Sequence, residues 1–159
     1  MILVLLGTFN IEFARPIIAI EKAVMNGWVK GEIIVQTGYT NYNSDLLNIR
    51  PFIEPNELDR LYDEADFIIT HSGTGSIIKA LKKGKKVIAI PRLHKFNEHI
   101  DDHQLEILQI FTNKNYIIPW NESDNLEVLL QQIKSFVPAV YSSDNKKIVD
   151  FLIEYIDSI

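Results

Sequence analysis

The sequence predicts an α/β protein of the Rossmann-like class, in which helices cover both faces of a parallel β-sheet. Short segments such as 2–6 and 67–70 are apolar at nearly every position, a pattern typical of strands that are buried on both faces. Longer segments with apolar residues at helical spacing lie between these runs, as they do in βα units. Several runs end in short polar segments that contain glycine or proline, and ligands of such sheets bind at the carboxyl ends of the strands.

Strands and helices are predicted to alternate along the chain. The predicted strands lie at 2–6, 33–35, near 52–53, and at 67–70, 87–91 and 116–120. The predicted helices lie at about 12–25, 55–65, 76–83 and 99–111, and two more follow the last strand. In the first helix Ile17, Ile20 and Val24 share one face. Pro55 suits the first turn of the second helix, and Gly84 suits the C-terminal cap of the third.

Polar loops follow four of the predicted strands. These loops, which we call the rim, are 7–9 ("GTF"), 36–38 ("QTG"), 70–76 ("THSGTGS") and 91–96 ("PRLHKF"). Because the carboxyl ends of parallel strands meet at one edge of a sheet, the rim is the expected ligand site.

Composition limits the class of protein. The chain has 159 residues, no cysteine and a net charge of -5. This length predicts a single domain over 1–159, and the absence of cysteine excludes a disulfide framework and a cysteine-based zinc site and suits a cytoplasmic setting. The negative charge predicts no binding of nucleic acid. The apolar start "MILVLLG" is too short for a signal peptide or a membrane span and predicts a buried strand.

The segment "HSGTGS" at 71–76 indicates a seat for a diphosphate. Gly73 and Gly75 allow close approach of a ligand to the backbone, and the start of the following helix offers unpaired N–H groups. A plain turn between a strand and a helix would show the same pattern. The dinucleotide motif G-x-G-x-x-G is incomplete because Ile78 replaces its third glycine, and the G-K-S/T ending of a P-loop is absent.

The histidines raise the question of a metal or a nucleophile. His99 and His103 are four residues apart in a predicted helix and would share a face, but a zincin needs glutamate where Ile100 stands. We therefore expect no metal, and we expect His103 and Gln104 to hydrogen-bond a polyhydroxyl ligand. Neighbouring side chains point apart in a strand, so His71 is not expected to activate Ser72 as a nucleophile.

A cluster of lysines occupies 79–86. Cations near the C-terminal end of a helix complement its dipole, which is one interpretation. Attraction to an anionic membrane surface or to an acidic partner is the other.

The run "THSGTGSIIKALKKGKKVIAIPR", followed by "HIDDHQLEI", resembles the C-terminal domain of family 28 glycosyltransferases. Supporting matches are "LLGTF", "VQTGYT" and "ADFIITHSGTGS", and the resemblance covers most of the chain. The family includes the peptidoglycan N-acetylglucosaminyltransferase and the small subunit of the dolichol-linked N-acetylglucosamine transferase. The segment "PRLHKFNEHIDDHQ" is most similar to subunits of bacterial exopolysaccharide and capsule β-1,4-glycosyltransferases. The resemblance implies the C-terminal half of a GT-B fold.

The resemblance also implies positions for a UDP-sugar. Gly7, Thr8 and the segment 72–76 would lie near the diphosphate, and His103 and Gln104 would meet the hydroxyls of the donor sugar. The predicted substrate-binding residues are Gly7, Thr8, Ser72, Gly73, Thr74, Gly75, Ser76, Arg92, His103 and Gln104. One departure concerns the ribose, because Lys79 stands where the family often carries a glutamate, and lysine cannot accept a hydrogen bond.

The implied function is that of half an enzyme. The chain would be the donor-binding catalytic subunit of a two-chain inverting glycosyltransferase. It would transfer a hexose from a UDP-sugar to a lipid-linked exopolysaccharide or capsule acceptor, without a metal or other cofactor. A membrane-anchored partner would bind the acceptor and supply the general base, and would hold the chain at the cytoplasmic face of the plasma membrane. An apolar patch near the rim or on the C-terminal segment "KIVDFLIEYI" would dock that partner. A non-catalytic nucleotide-sugar-binding or regulatory module, or a complete small hydrolase or epimerase, are the alternatives.

Overall fold

The sheet is parallel throughout, as the sequence predicts. A computed structural model describes residues 1–142. Its strands are β1 (Ile2–Leu5), β2 (Ile33–Gln36), β3 (Asn48–Arg50), β4 (Phe67–His71), β5 (Lys86–Ile90) and β6 (Ile118–Pro119). They form one sheet in the order β3-β2-β1-β4-β5-β6, and each neighbouring pair is parallel. The Rossmann-like α/β class is therefore confirmed.

Helices cover both faces of this sheet. They are α1 (Arg15–Met25), α2 (Pro55–Glu64), α3 (Thr74–Lys82), α4 (His103–Asn113) and α5 (Leu126–Ser135), with a short 3₁₀ helix at His94–Phe96. Val4 packs with α1 and α5 in one apolar cluster, whereas Leu3 and Leu5 pack with α2, α3 and α4 in the other. Each strand residue faces the side opposite to its neighbours, so a strand covered on both sides is apolar throughout. In the described part of the chain, every helix is too short or too polar to span a lipid bilayer.

The third strand lies earlier than predicted. It spans Asn48–Arg50 rather than the region near 52–53, where the backbone N–H of Ile53 instead donates to the side-chain oxygen of Gln36 at 3.1 Å. This strand is at the edge of the sheet and is only half-buried. An edge strand needs no continuous apolar run. The prediction therefore followed the apolar pair Phe52 and Ile53 instead of the strand itself.

Two helix starts also differ from the prediction. The helix α3 begins at Thr74, inside the glycine-containing segment, and α4 begins at His103 rather than at about residue 99. Gly84 has a φ of +67° just after the cap of α3, which confirms its predicted role at the end of that helix. The second of the two closing helices, including "KIVDFLIEYI", lies outside the described residues. The prediction of one domain over 1–159 stays a prediction.

Candidate functional site

The rim loops follow adjacent parallel strands of the sheet. The strand β1 pairs with β2 and β4, and β4 pairs with β5, all in the parallel sense. The loops 7–9, 36–38 and 91–96 and the turn into α3 therefore meet at the carboxyl ends of four adjacent strands. Three of these loops come close together at Gly7, Gly38 and Gly73.

Glycines allow the rim loops to pack against His71 and against each other. A Cβ on Gly7 would lie 2.8 Å from Nε2 of His71, and one on Gly73 would lie 2.1 Å from the same atom. A Cβ on Gly38 would lie 2.2 Å from the carbonyl oxygen of Gly7. Real Cβ atoms do not approach other atoms so closely, so the loops after β1, β2 and β4 can close only without side chains at these positions.

Gly75 differs from the other rim glycines. A Cβ added to it would meet no atom within 4 Å, although it lies in the first turn of α3, where glycine is a poor helix former. No side chain caps α3 at Gly73, and the first amides of a helix lack intrahelical partners. The start of α3 therefore combines open space with backbone donors contributed by Thr74, Gly75 and Ser76, an arrangement that suits an anion.

Ser72 is fully buried at the carboxyl end of β4. Its backbone N–H donates to the carbonyl of Ile90 at 3.1 Å, but within residues 1–142 its Oγ has no hydrogen-bond partner. A buried hydroxyl without a partner is unfavourable. Its position beneath the turn into α3 therefore fits a site that is completed by a ligand.

His71 is a rim residue that sequence reasoning did not assign to the site. Its Nδ1 lies 3.3 Å from the carbonyl oxygen of Leu5, and because a carbonyl can only accept, Nδ1 carries the proton in this arrangement. Burial lowers the pKa of the imidazole to about 4, although the bond to Leu5 opposes this shift, and the charge of Arg92 lowers it further. His71 is therefore neutral at physiological pH, with Nε2 between Gly7 and Gly73. No pattern in the sequence beside His71 indicates that its ring packs between the loops after β1 and β4.

Arg92 lies inside the protein rather than at the open surface. Its side chain is fully buried and donates to the carbonyls of Leu6 at 3.0 Å, Ile11 at 2.7 Å and Glu98 at 3.0 Å. These hydrogen bonds direct the guanidinium toward protein carbonyls. They hold the loop after β1 against the loop after β5, so the structure gives Arg92 a positioning role.

Gln104 supports the same loop. It lies in the first turn of α4 and is buried, and its Oε1 accepts a hydrogen bond from the backbone N–H of Arg92 at 3.0 Å. That oxygen is therefore already engaged within the protein. Contact of Gln104 with a donor sugar stays a prediction.

His99 and His103 come together by a route other than the predicted one. They do not share a helix face, because α4 begins at His103, yet their ring centroids are 4.7 Å apart. Nδ1 of His99 lies 3.1 Å from Oδ1 of Asp101, and Nδ1 of His103 contacts the same oxygen. His99 also stacks on Phe9, with centroids 4.6 Å apart. This contact ties the segment before α4 to the 7–9 loop and places half-exposed His103 at the rim.

The group around Asp101 bears on the question of metal. One ligand atom from each of His99, Asp101 and His103 lies within 4.8 Å of the others, a spacing that a cation could use. The hydrogen bond from His103 is the main reason that the pKa of Asp101 is lowered, so His103 already engages this carboxylate. The expectation that no metal takes part stays a prediction, and exhaustive chelation of the active enzyme would test it.

Most of the lysine cluster is paired within the protein. Lys83 lies 2.7 Å from Asp63 and 3.1 Å from Asp59, while Lys85 and Lys86 donate to backbone carbonyls. Lys79 lies 3.3 Å from Oδ1 of Asp59. These four lysines are therefore engaged within the protein, which weighs against their attracting a membrane surface or an acidic partner.

The fold is that of a Rossmann-like α/β domain with a parallel sheet, and comparison with known proteins narrows this class. The profile of the Glycosyltransferase family 28 C-terminal domain matches residues 1–148. The chain belongs to this family.

Individual relatives agree with this assignment. The chain is 35% identical over 105 residues to the UDP-N-acetylglucosamine transferase subunit ALG13 of Candida albicans, covering 66% of this chain and 30% of that protein. It spans about half or less of the length of the curated relatives that it matches. An NMR solution structure of ALG13 has a TM-score of 0.57 at 19% identity and covers 96% of this chain and 94% of its own. MurG of Acinetobacter baumannii has a TM-score of 0.55 at 21% identity and covers 83% of this chain and 40% of its own. These two similarities concern the fold.

Proposed function

We propose that this chain is the donor-binding subunit of a two-chain inverting glycosyltransferase that uses a UDP-sugar. The observation that carries the proposal is the start of α3, where uncapped backbone amides face open space at Gly75. A diphosphate fits that arrangement because the helix dipole and free N–H groups favour an anion. Membership of family 28 supports the same assignment.

The proposed reaction is a displacement at the anomeric carbon of the donor sugar. An acceptor hydroxyl oxygen forms a bond to that carbon while the bond to the UDP oxygen breaks. The amides at the start of α3, with Gly7 and Thr8 opposite, stabilise the charge on the leaving diphosphate. His103 and Gln104 orient the sugar. The proton of the acceptor hydroxyl passes to a general base, which we place on the partner chain.

Asp59 is a candidate acceptor for the hydrogen bonds of the ribose hydroxyls, because Lys79 can only donate. A cavity of about 440 Å³ beside α3 is lined by Asp59, Gly75 and Lys79, among others. The carboxylate of Asp59 lies 3.3 Å from the ammonium of Lys79 and can accept hydrogen bonds from two hydroxyls. We propose that Asp59, brought in from α2, accepts from the ribose hydroxyls while Lys79 donates to them.

Different observations support the proposed donor and the proposed acceptor. Relatives named as UDP-N-acetylglucosamine transferase subunits make UDP-N-acetylglucosamine the first donor to test. The similarity of 91–104 to exopolysaccharide and capsule enzymes suggests a lipid-linked bacterial acceptor. A membrane-anchored partner would hold the chain at the cytoplasmic face of the membrane. Phe96, Ile100 and Leu105 are exposed near the rim and are candidates for contact with that partner.

Calorimetric titration with UDP and UDP-sugars tests donor binding by the isolated chain. We expect Gly75→Val to weaken UDP binding about tenfold or more, because the side chain fills the space at the start of α3. Gln131→Val places the same β-branched residue on the exposed surface of α5 and should leave affinity unchanged. Asp59→Asn should also weaken UDP binding, whereas Asp63→Asn, one turn away on α2, serves as its control. Unchanged affinity in folded Gly75→Val would refute the diphosphate site.

A further inference from the structure

We propose that His99, Asp101 and His103 form a binding site for one transition-metal ion of the zinc class. The first two residues lie in the segment that leads into α4, and His103 is the first residue of that helix. We call this group the 99–103 cluster. The inference goes beyond the proposed function and does not depend on it, because the ion is inferred to hold the rim together and takes no part in sugar transfer.

The side chains of the 99–103 cluster are spaced as metal ligands are. One ligand atom from each residue lies within 4.8 Å of the others. Nδ1 of His99 lies 3.1 Å from Oδ1 of Asp101, and Nδ1 of His103 contacts the same oxygen. Tetrahedral zinc has metal–ligand distances of about 2.0–2.2 Å, which places neighbouring ligand atoms about 3.3–3.6 Å apart. Small side-chain movements therefore bring all three residues onto one ion.

His99 supplies the observation that points to a cation. Its Nδ1 accepts a long hydrogen bond from the backbone N–H of Asp101 at 3.4 Å, so in this arrangement that nitrogen carries a lone pair and not a proton. The same nitrogen faces the carboxylate oxygen of Asp101 at 3.1 Å. Two electron-rich atoms at this distance repel each other, and a cation bound to both removes the repulsion.

The kinds of ligand atom select the class of ion. Two imidazole nitrogens and one carboxylate oxygen suit zinc and similar transition metals, whereas magnesium and calcium prefer ligand sets made of oxygen alone. Three protein ligands leave a fourth position for water. The side chains of Asp101 and His103 are about half-exposed, so an ion can reach the cluster from solvent.

An ion in the 99–103 cluster would join two parts of the rim. The ring of His99 stacks on Phe9, which lies in the loop after β1, with centroids 4.6 Å apart. His103 begins α4, so an ion bound to both histidines fixes the start of this helix against that loop. An ion that binds the folded chain and not the unfolded one also raises the free energy of unfolding. The role that we infer for the ion is therefore structural.

The test is metal binding by the intact chain, measured by calorimetry with Zn²⁺ and by the visible absorption of Co²⁺. The chain must be untagged, because a polyhistidine tag binds both ions. We expect one ion per chain, and binding weaker by about tenfold or more in His99→Gln and in Asp101→Asn. His94→Gln and Asp102→Asn change a nearby exposed histidine and carboxylate and should bind zinc as the unmodified chain does. An excess of Mg²⁺ should not displace the zinc.

Thermal unfolding gives a second measurement, because zinc should raise the Tm of the unmodified chain and of both control variants but not that of His99→Gln. Three outcomes would overturn the inference. They are no saturable binding of zinc, unchanged affinity in a folded His99→Gln variant, and an equal loss of affinity in Asp102→Asn. These measurements are made without nucleotide, and titration with UDP in the presence of a chelator reports separately on the proposed function. A chain that binds UDP but not zinc would refute the 99–103 cluster alone.

Discussion

At the scale of single residues, His71 makes stability depend on pH. Burial lowers its pKa to about 4 in the folded protein, whereas an unfolded chain has the ordinary value of about 6.5. The unfolded state therefore takes up the proton first as pH falls. The contribution of His71 to stability is complete above about pH 6.5 and is lost progressively toward pH 4.

We expect this loss to reach about 3 kcal/mol by pH 4, from the difference between the two pKa values. Urea unfolding at pH 7.5, 6 and 5 would measure it in the unmodified chain and in His71→Gln. The variant should be less stable at pH 7.5 but should show a shallower dependence on pH. Parallel curves for the two proteins would contradict the assignment of a neutral, buried imidazole.

The two glycines at the start of α3 should respond oppositely to alanine. In Gly73→Ala the new Cβ would meet His71 at 2.1 Å, and we expect destabilisation by about 1–3 kcal/mol as the ring is displaced. In Gly75→Ala the Cβ meets no atom within 4 Å, so stability should be unchanged or rise by up to about 1 kcal/mol. Thermal unfolding of both variants measures the contrast, and equal effects would argue against the packing of His71 described above.

At the scale of elements, the loop after β5 is held by buried charge rather than by regular structure. Arg92 reaches carbonyls in the loop after β1. The carboxylate of Glu98 accepts from the backbone of Leu93 at 3.0 Å and from Arg15 at 2.8 Å. These bonds join the start of α1 to the loop that leads into α4. The rim is therefore preorganised on its β5 side before any ligand binds.

Arg92→Lys should loosen this side of the rim. Lysine has no planar fork and cannot reach three carbonyls at once, so buried acceptors lose their partners. We expect a loss of about 2–4 kcal/mol in the free energy of unfolding. Arg60→Lys, an exposed arginine that pairs with Glu64 on α2, should cost less than about 0.5 kcal/mol. Similar losses in both variants, measured by urea unfolding, would show that the buried bonds contribute little.

At the scale of the whole molecule, residues 1–142 form one sheet with one rim, which under the proposed function is the donor half of a transferase site. A donor and a lipid-linked acceptor normally meet in a cleft between two domains. We therefore expect the purified chain to bind UDP-sugar with little or no transfer, and transfer to appear when the partner is added. The partner to try is the product of a neighbouring gene that encodes a short Rossmann-like chain with an apolar N-terminal anchor.

The measurement is transfer of labelled sugar to a lipid-linked acceptor by this chain, by the partner, and by both together. Robust turnover by this chain alone would refute the two-chain proposal in favour of a complete small enzyme. Donor binding without transfer in any combination would favour the non-catalytic module.

The pattern of apolar residues predicted the class of fold, because a strand that is buried on both faces is apolar at every position. Ile2 to Leu6 form a run with no polar member, and the structure places it at the centre of the sheet. The predicted position of the edge strand β3 was wrong because this strand is not buried on both faces. Asn48 and Arg50 are only half-buried and are not apolar. The rim followed from the order of strands and loops, because parallel strands end at one edge.

The tertiary structure alone decided what individual rim residues do. Arg92 bonds to the carbonyl of Leu6, 86 positions away in the chain, and His71 bonds to that of Leu5, 66 positions away. Nothing in the residues beside Arg92 or His71 distinguishes a side chain turned inward from one that meets a ligand. The same holds for Asp59, which reaches Lys79 only because α2 and α3 pack on the same face of the sheet. Sequence patterns record the average burial of a segment, whereas hydrogen bonds between distant segments depend on how the completed chain is packed.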